Sequence, residues 1–297
     1  MTTTPTTPTA DGLVVVDKPD GWTSHDVVAR VRRLAGTRKV GHAGTLDPMA
    51  TGVLVLGIGR ATRLLGHLQL ADKSYDATIR LGESTVTDDA EGDVLARVDA
   101  SHVSLDDVRQ AIGPLTGDIE QVPTAVSAIK VDGKRSYARV RAGEEVELPA
   151  RPVHVAVFEA RAIHPAGSAV DVDVHVSCST GTYVRALARD LGRALGVGGH
   201  LTMLRRTGVG GFVVHDAKTL TELESAFEVL PIASAARLSF PSHHLDEDTA
   251  QDVRYGRKLP DFDLGSPGAV ALFAPDGTFL ALYEQRGDVA RPVAVFV

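Results

Sequence analysis

The order of hydrophobic and polar positions along this chain predicts a mixture of strands and helices. Apolar runs and alternating apolar positions predict strands at 13–17, 52–57, 75–81, 153–163 and 170–178. The run at 52–57 also fits a short buried helix. Apolar side chains at helical spacing predict helices at 24–34, 105–115 and 183–195. Because these elements do not alternate as a parallel doubly wound sheet requires, the pattern predicts an α+β fold.

Capping residues and glycines mark the predicted ends of the helices. Ser24 and Ser104 each stand before an apolar stripe, so we expect them to be N-caps. Gly36 and Gly117 follow the first two helices and are the predicted stop signals. The helix at 183–195 carries Arg185 and Arg189 four residues apart, which places both on one face.

The chain divides into three predicted segments. Residues 1–10 are a Thr- and Pro-rich run, which predicts a disordered tail. Residues 11–231 contain the strands and helices above and form the predicted catalytic domain. Residues 232–297 begin with an acidic stretch, in which His243 and His244 are predicted to lie in a solvated turn. The rest contains a hairpin pattern and a last apolar run at 293–297, which predicts a small all-β unit.

Composition narrows the class of protein. The 297 residues are 43% hydrophobic and 23% charged, as expected for a globular protein. No apolar run reaches the length of a membrane span, and the N-terminus lacks the pattern of a signal peptide. One cysteine, Cys178, excludes an internal disulfide framework and fits a reducing compartment. We therefore expect a cytoplasmic protein, and without a coiled coil or long apolar edge, a monomer.

The net charge of −7 does not by itself exclude a nucleic-acid partner. Lys and Arg outnumber Asp and Glu within residues 11–80 and 121–215, while acidic residues dominate elsewhere. Phosphate binding depends on a local basic patch rather than on the total charge. Two basic segments could share one face; an uneven but functionless surface distribution is the alternative.

The most unusual segment runs from 39 to 52. It contains Gly41, Gly44 and Gly52, and its Asp47 is followed by a proline, so it predicts a shaped loop. Pro48 restricts Asp47 to extended backbone angles, which would hold the carboxylate in a defined direction. Such a loop suits a reacting carboxylate. The alternative is that Asp47 only caps a turn, a common role of Asp before Pro.

Other catalytic motifs fail on spacing. The segment from Gly57 to Gly59 lacks the third glycine of a dinucleotide-binding loop. Six residues separate Cys178 from Arg185, one more than a phosphate-binding thiolate loop needs. The eleven histidines show no metal-ligand spacing, so no metal site is predicted.

Residues 41–48 together with 51–54 resemble the signature of the bacterial TruB family of tRNA pseudouridine-55 synthases. Further segments resemble the family in the same order, at 17–24, 73–75, 89–92, 181–185 and 199–206. The resemblance extends from about residue 13 to 212. It implies a pseudouridine-synthase-like domain with a mixed, largely antiparallel sheet flanked by helices. The C-terminal unit resembles the PUA-type RNA-binding module only in position and hairpin pattern, and Val126 stands where the family commonly has an aromatic residue.

The resemblance implies an isomerase that converts uridine 55 in the T-loop of tRNA to pseudouridine. The base leaves the ribose through N1 and rejoins it through C5, without redox or phosphoryl chemistry, so no cofactor or metal is implied. Asp47 is the implied catalytic carboxylate, in a pocket that excludes water. Whether it attacks C1′, attacks C6 or removes a ribose proton is open. Arg185 is expected to pair with Asp47 and keep it ionised.

The remaining implied residues surround the base. Tyr75 is expected to stack on it and could accept the proton from C5, and Tyr183 and Leu204 are implied pocket walls. The buried base must be flipped out, and His42 is the candidate to fill the space that it leaves. Asp89, in the acidic turn, is also assigned to the substrate site. Candidates for phosphate contacts are Lys18, Lys39, Arg60, Arg63, Lys130, Lys134, Arg139, Arg141, Arg205 and Arg206.

Two other functions remain open from the sequence. The first is an RNA-binding or tRNA-folding factor whose benefit needs no catalysis. The second is a glycoside or nucleoside hydrolase that uses Asp47. The T-arm of tRNA is the expected partner in the preferred interpretation.

Overall fold

The computed structural model describes residues 11–124, 130–131, 134–135 and 148–297, with backbone pairing alone at 130–131 and 134–135. The predicted tail at 1–10, Val126, Arg139 and Arg141, and the side chains of Lys130 and Lys134 lie outside this description. The strands are β1 Gly12–Lys18, β2 Val40–Ala43, β3 Thr51–Ile58, β4 Lys73–Leu81, β5 Glu83–Thr85, β6 Val94–Arg97, β7 Gly117–Gln121, β8 Lys130–Val131, β9 Lys134–Arg135, β10 Arg151–Ala166, β11 Ala169–Cys178, β12 Gly199–Val209, β13 Phe212–Val213, β14 Leu230–Pro231, β15 Ser242–His244, β16 Leu259–Pro260, β17 Val270–Phe273, β18 Phe279–Arg286 and β19 Val289–Val295.

The α-helices are α1 Ser24–Leu34, α2 Leu65–Leu68, α3 Leu105–Ile112, α4 Val184–Ala194, α5 Leu220–Ser225, α6 Ile232–Ser239 and α7 Glu247–Arg254. Short 3₁₀ helices lie at Gly59–Leu64, Gly113–Leu115 and Val214–Asp216. None of the helices in the described part of the chain is long and apolar enough to span a membrane. The chain forms two compact units. The first contains 11–48, 52–70 and 210–297, and the second contains 49–51 and the described residues of 71–209.

The first unit contains antiparallel strands in the order β14, β1, β3, with β2 also paired to β3. Every residue of β3 from Gly52 to Ile58 is buried, which explains its continuous apolar run and excludes the alternative of a short helix. The predicted loop at 39–52 was therefore wrong at its ends, because Val40–Ala43 and Thr51–Gly52 are strand residues. Only residues 44–50 between β2 and β3 form the loop.

The N-cap of helix α1 lies one residue before the position predicted from the sequence. Thr23, not Ser24, is the N-cap: its hydroxyl accepts from the backbone N–H of Asp26, and the Asp26 carboxylate accepts from the N–H of Thr23. This reciprocal pair satisfies two N–H groups at the start of the helix. Ser24 is instead buried and bonds elsewhere. Val27, Val28 and Val31 form the buried stripe, as predicted.

The C-terminal part of the first unit is a sheet in the order β15, β17, β18, β19, β16. The hairpin predicted from 269–283 is present as β17 and β18. Two features of the sequence interpretation were wrong here. Helix α7 packs its Ala250 and Val253 into the core of this sheet, so the segment is not purely β. His243 and His244 lie in β15, paired parallel to β17, rather than in a solvated turn.

Two arginines of the first 3₁₀ helix contact the end of the chain. Arg60 donates to the carboxylate of Asp11 and, over 2.7 Å, to the carbonyl of Phe296. Arg63 donates to the carbonyl of Val295, and its guanidinium lies 5.2 Å from the centre of the Phe296 ring. Both side chains thereby tie residues 295–296 to the segment that follows β3.

The second unit is an antiparallel sheet in the order β12, β4, β11, β10, β7. In β4 and β11 every second residue is buried, which is the alternation that predicted them. Helices α3 and α4 pack on this sheet, and Ser104 caps α3 through a capping box as predicted. Gly117 does not end α3, which stops at Ile112; it begins β7 instead.

Helix α4 approaches the start of β12 closely, at a point where both segments contain glycine. A Cβ on Gly192 would lie 2.2 Å from the carbonyl carbon of Gly198 and from the amide nitrogen of Gly199. All these atoms belong to the backbone and cannot rotate away. The absence of side chains at this position therefore sets the distance between α4 and the sheet.

We expect Gly192→Ala to destabilise the second unit by about 3 kcal/mol, because overpacking against backbone outweighs the gain of about 1 kcal/mol in helix propensity. Gly66→Ala in α2, where a Cβ meets nothing within 4 Å, is the matched control. It should leave stability unchanged or raise it. Urea unfolding followed by circular dichroism measures both; equal effects of the two substitutions would contradict the close contact.

Candidate active site

The loop that carries Asp47 connects β2 to β3. Gly44 and Gly52, on either side of Asp47, have φ angles of +82° and +97°, which favour glycine. Gly41 does not share this conformation. A Cβ there would instead lie 3.1 Å from Leu65 Cδ1, so a side chain at this position would require a small shift of Leu65.

Both neighbours of Asp47 are held by hydrogen bonds from the segment before and at the start of α1. The buried hydroxyl of Ser24 donates to the carbonyl of Leu46 over 3.1 Å and accepts from its N–H over 2.9 Å. The carbonyl of Pro48 accepts from the N–H of Gly21 over 3.0 Å. Asp47 itself is half-buried. Its backbone position is thus fixed from both sides, whatever its side chain contacts.

Lys18 is a third restraint on this loop. Its side chain is completely buried, and its ammonium donates to the carbonyls of Pro19 at 3.0 Å, Trp22 at 2.5 Å and Pro48 at 3.0 Å. A buried ammonium requires such partners because desolvation of its charge is costly. This burial favours a structural role for Lys18 over the phosphate contact expected from sequence.

The start of α4 positions Arg185 in the second unit. The buried side-chain amide of Gln121, at the end of β7, accepts from the N–H of Tyr183 over 2.8 Å and donates to its carbonyl over 3.2 Å. Tyr183 is the N-cap residue of α4, and its own side chain makes no capping bond. Gln121 therefore fixes the helix terminus two residues before Arg185.

Arg185 forms a buried ion pair with Asp89. One of its guanidinium nitrogens lies 3.1 Å from the Asp89 carboxylate and donates to the carbonyl of Thr87 over 3.0 Å. The two side chains are only 8% and 2% exposed. The Asp89 carboxylate also accepts from the N–H of Glu91 and from the hydroxyl of Thr87. Arg185 is thus anchored in the turn that follows β5.

Tyr75 lies on the buried face of β4, and its neighbours on β12 include a fully buried arginine. Tyr75 is opposite Arg206, and Leu204 is opposite Ala77. Arg206 is 1% exposed, which favours a structural role over the expected phosphate contact. Burial, and secondarily the charge of Arg206, lowers the pKa of Lys73, two residues before Tyr75. This face therefore combines an aromatic ring with two buried cations.

His42 lies on β2, half-buried, with its ring 5.7 Å from that of His25 in an edge-on arrangement. Among the other candidates for phosphate contacts, Arg205 is half-buried and donates to the hydroxyl of Thr51. Lys39 is exposed. Arg63 is exposed apart from its contacts with the end of the chain described above.

The structure therefore collects the expected residues in two groups. His42, Asp47 and Lys18 lie in the first unit, with Lys18 bound to the Asp47 loop. The second unit contains Tyr75, Asp89, Tyr183, Arg185 and Leu204, and within it Asp89 and Arg185 are in contact. The ion pair between Asp47 and Arg185 stays a prediction.

Sequence reasoning missed several residues of these groups. Gln121 binds Tyr183 and Thr87 binds Arg185 through hydrogen bonds between distant segments, which leave no local pattern. Asp88 and Arg189 form a second ion pair beside the first, and the spacing of Arg185 and Arg189 was the available signal. Burial raises the pKa of Cys178 to about 11, so its thiol is protonated at neutral pH and does not supply a thiolate nucleophile.

The fold is similar to that of known structures and the sequence to a known family. A chain of a Cbf5–Nop10–Gar1 complex matches with a TM-score of 0.73 and 27% identity, over 96% of this chain and 85% of that one. Residues 32–184 match the sequence model of the N-terminal domain of TruB family pseudouridylate synthases. Residues 185–235 match the C-terminal domain of tRNA pseudouridylate synthase B, and 240–297 the C-terminal region of tRNA pseudouridine synthase II. The chain is therefore a pseudouridine synthase, an isomerase.

Close relatives specify the family further. A tRNA pseudouridine synthase B of Arthrobacter sp. (strain FB24) is 58% identical, over 96% of each chain. The protein of the same name from Thermobifida fusca (strain YX) is 58% identical over 97% of this chain and 99% of its own. This chain belongs to the TruB family.

We expect Asp89→Asn to lower the free energy of unfolding by about 3 kcal/mol, because it leaves the buried charge of Arg185 without its carboxylate. Asp93→Asn, in the same turn region but exposed, is the matched control and should change stability by no more than about 0.5 kcal/mol. Urea unfolding measures both. An Asp89→Asn variant as stable as the control would show that the ion pair contributes nothing to the fold.

Proposed function

We propose that this chain isomerises uridine 55 in the T-loop of tRNA to pseudouridine, with Asp47 as the catalytic carboxylate and without a cofactor. The observation that carries this proposal is the fixation of Asp47. Ser24 binds the residue before it, and Gly21 and Lys18 bind the residue after it. The names of the close relatives support tRNA as the substrate.

The proposed chemistry requires one carboxylate and the exclusion of water. Asp47 starts the cleavage of the bond between N1 and the ribose, and the base then turns and rejoins through C5. A glycosidase would need a second carboxylate to activate water, whereas an isomerase must keep water away from the detached base. A loop held by backbone contacts suits this task, because the reacting group then needs no rearrangement during the reaction.

Arg185 is proposed to pair with Asp47 and keep it ionised as the base enters. A guanidinium carries several donors on a planar group, so one edge can bind Asp89 and Thr87 while another addresses a second carboxylate. The contacts with Asp89 and Thr87 support this role, since they orient Arg185 before any substrate arrives. A positive charge beside Asp47 favours its ionised form.

The target base is proposed to leave the stacked T-loop and enter the pocket. His42 fills the space that it leaves, Tyr75 stacks on the base, and Tyr183 and Leu204 form the walls. Phosphates of the T-arm are proposed to meet exposed basic side chains such as Lys39. Asp89 serves the substrate site through Arg185.

The domain organisation belongs to the same proposal. Residues 11–231 form the catalytic domain, and 232–297 form a PUA-like module that contacts RNA. The five-stranded C-terminal sheet supports this division. A monomer acting in the cytoplasm fits a tRNA-modifying enzyme of this composition.

We expect Asp47→Asn to lower the rate of pseudouridine formation by roughly a thousandfold or more, while RNA affinity stays within about threefold, because only the reacting charge is removed. T-arm RNA tritiated at C5 of uridine measures the reaction, since isomerisation releases that tritium. Asp20→Asn, an exposed residue of the preceding turn, is the matched control and should retain full activity.

The other functions give different results in the same experiment. Release of free uracil would indicate a hydrolase, and RNA binding without tritium release by the unaltered chain would indicate a folding factor. If Asp47→Asn fails to fold, Asp47 is a turn cap rather than a reacting group.

We expect Tyr75→Phe to bind T-arm RNA normally and to lower the single-turnover rate by about tenfold to a hundredfold, if its hydroxyl accepts the proton from C5. Tyr75→Leu also loses the stacking ring and should weaken binding as well. Filter binding and tritium release separate the two effects. A phenylalanine variant with the unaltered rate would restrict Tyr75 to stacking.

A further inference from the structure

A second ion pair lies beside the pair of Arg185 and Asp89. Arg189, one helical turn after Arg185 on α4, places a guanidinium nitrogen 3.2 Å from the carboxylate of Asp88. Two consecutive aspartates of one turn are therefore paired with two arginines of one helix face. Since the members of each pair are neighbours of the other pair, exchanged pairings have to be disfavoured for Arg185 to keep Asp89.

The contacts of Arg189 and Asp88 fix this arrangement. Arg189 also donates to the carbonyl of Val122 over 2.7 Å and to the carboxylate of Asp190 over 3.0 Å. Asp88 has a φ angle of +59°, unusual for a residue with a side chain, and its carbonyl accepts from Leu201 of β12 over 3.1 Å. The backbone of the turn is thus committed to one conformation, in which successive carboxylates point to successive arginines.

Burial opposes the ionisation of Asp88 in the second pair. Burial raises the pKa of Asp88, and this effect exceeds the lowering by Arg189, by a hydrogen bond from Thr124 and by Arg185, while Asp190 raises it further. A raised pKa means that the ionised carboxylate is less favourable in the folded than in the unfolded chain, so its ionisation costs stability above that pKa. A buried ion pair under these conditions is better explained by its selection of one arrangement of the charged side chains than by a gain in stability.

We propose that Arg189 and Asp88 are positioning residues that hold the 85–89 turn in register, so that Asp89 stays on Arg185. The inference rests on the proposed function, because it gives Arg185 its role beside Asp47. Without Asp88, Asp89 can turn towards Arg189, and without Arg189, Asp88 can compete with Asp89 for Arg185. In both cases the restraint that Asp89 places on Arg185 is weakened. The effect reaches the reaction only through Arg185, and neither residue needs to touch RNA.

The test compares Asp88→Asn and Arg189→Met with the double variant. Asparagine tolerates the left-handed backbone conformation of Asp88 and keeps its size. We expect Asp88→Asn to lower the single-turnover rate about fivefold to tenfold with unchanged affinity for T-arm RNA, and to leave the midpoint of thermal unfolding unchanged or raised. The double variant should be no slower than the slower single variant, because the two single substitutions remove the same interaction. Arg193→Met, exposed and four residues further along α4, should match the unaltered protein.

The pH profile gives a readout that a purely structural role would not change. In the unaltered protein, the rate should fall as the pH is lowered through the raised pKa of Asp88, because protonation removes the partner of Arg189. In Asp88→Asn this component of the acid limb should be missing, and the rate should be low throughout.

Three results would overturn the inference while the unaltered chain forms pseudouridine. They are a full rate in Asp88→Asn, multiplied losses in the double variant, and a rate loss accompanied by a lowered unfolding midpoint. An unaltered chain that forms no pseudouridine would instead overturn the proposed function and with it the catalytic consequence of this pair.

Discussion

A charged arginine in the interior of the second unit constrains much of the structure around it. Arg185 is almost completely buried, and an unpaired guanidinium in that position would be very unfavourable, so Asp89 and the carbonyl of Thr87 have to meet it. The turn after β5 must therefore lie against the start of α4. Gln121 completes the restraint from β7 by binding both backbone groups of the residue that caps the helix.

The Asp47 loop follows a different physical strategy. The backbone on either side of Asp47 is held by hydrogen bonds to Leu46 and Pro48. Ser24, the first residue of α1, donates a hydrogen bond to the carbonyl of Leu46, and the buried ammonium of Lys18 donates one to the carbonyl of Pro48. Both anchors are residues whose polar groups would be costly to bury alone. Fixation through neighbouring residues restricts the positions that the Asp47 side chain can adopt.

Much of the fold could be predicted because its signals are local. The alternation in β4 and β11, the apolar run of β3 and the capping box of Ser104 depend on neighbouring residues only, and the structure contains all of them. Where the sequence interpretation was wrong, a distant contact decided. Ser24 has the residue type of an N-cap, but its hydroxyl forms hydrogen bonds with the backbone of Leu46, 22 residues later. Thr23 is the N-cap instead. His243 and His244 were predicted to lie in a solvated turn, but they belong to β15, which pairs with β17.

The amino-acid sequence by itself determined the family, through the residues around Asp47 and Arg185, and the type of most elements, through the spacing of apolar side chains. These properties depend on short segments of the sequence and can be predicted without the rest of the chain. Only the tertiary structure decided that Lys18 and Arg206 are interior cations, that Asp89 belongs to Arg185 and that Asp88 belongs to Arg189. The reason is that charge pairing and burial depend on which segments meet after folding, and residues such as 89 and 185 are brought together by the packing of α4 on its sheet.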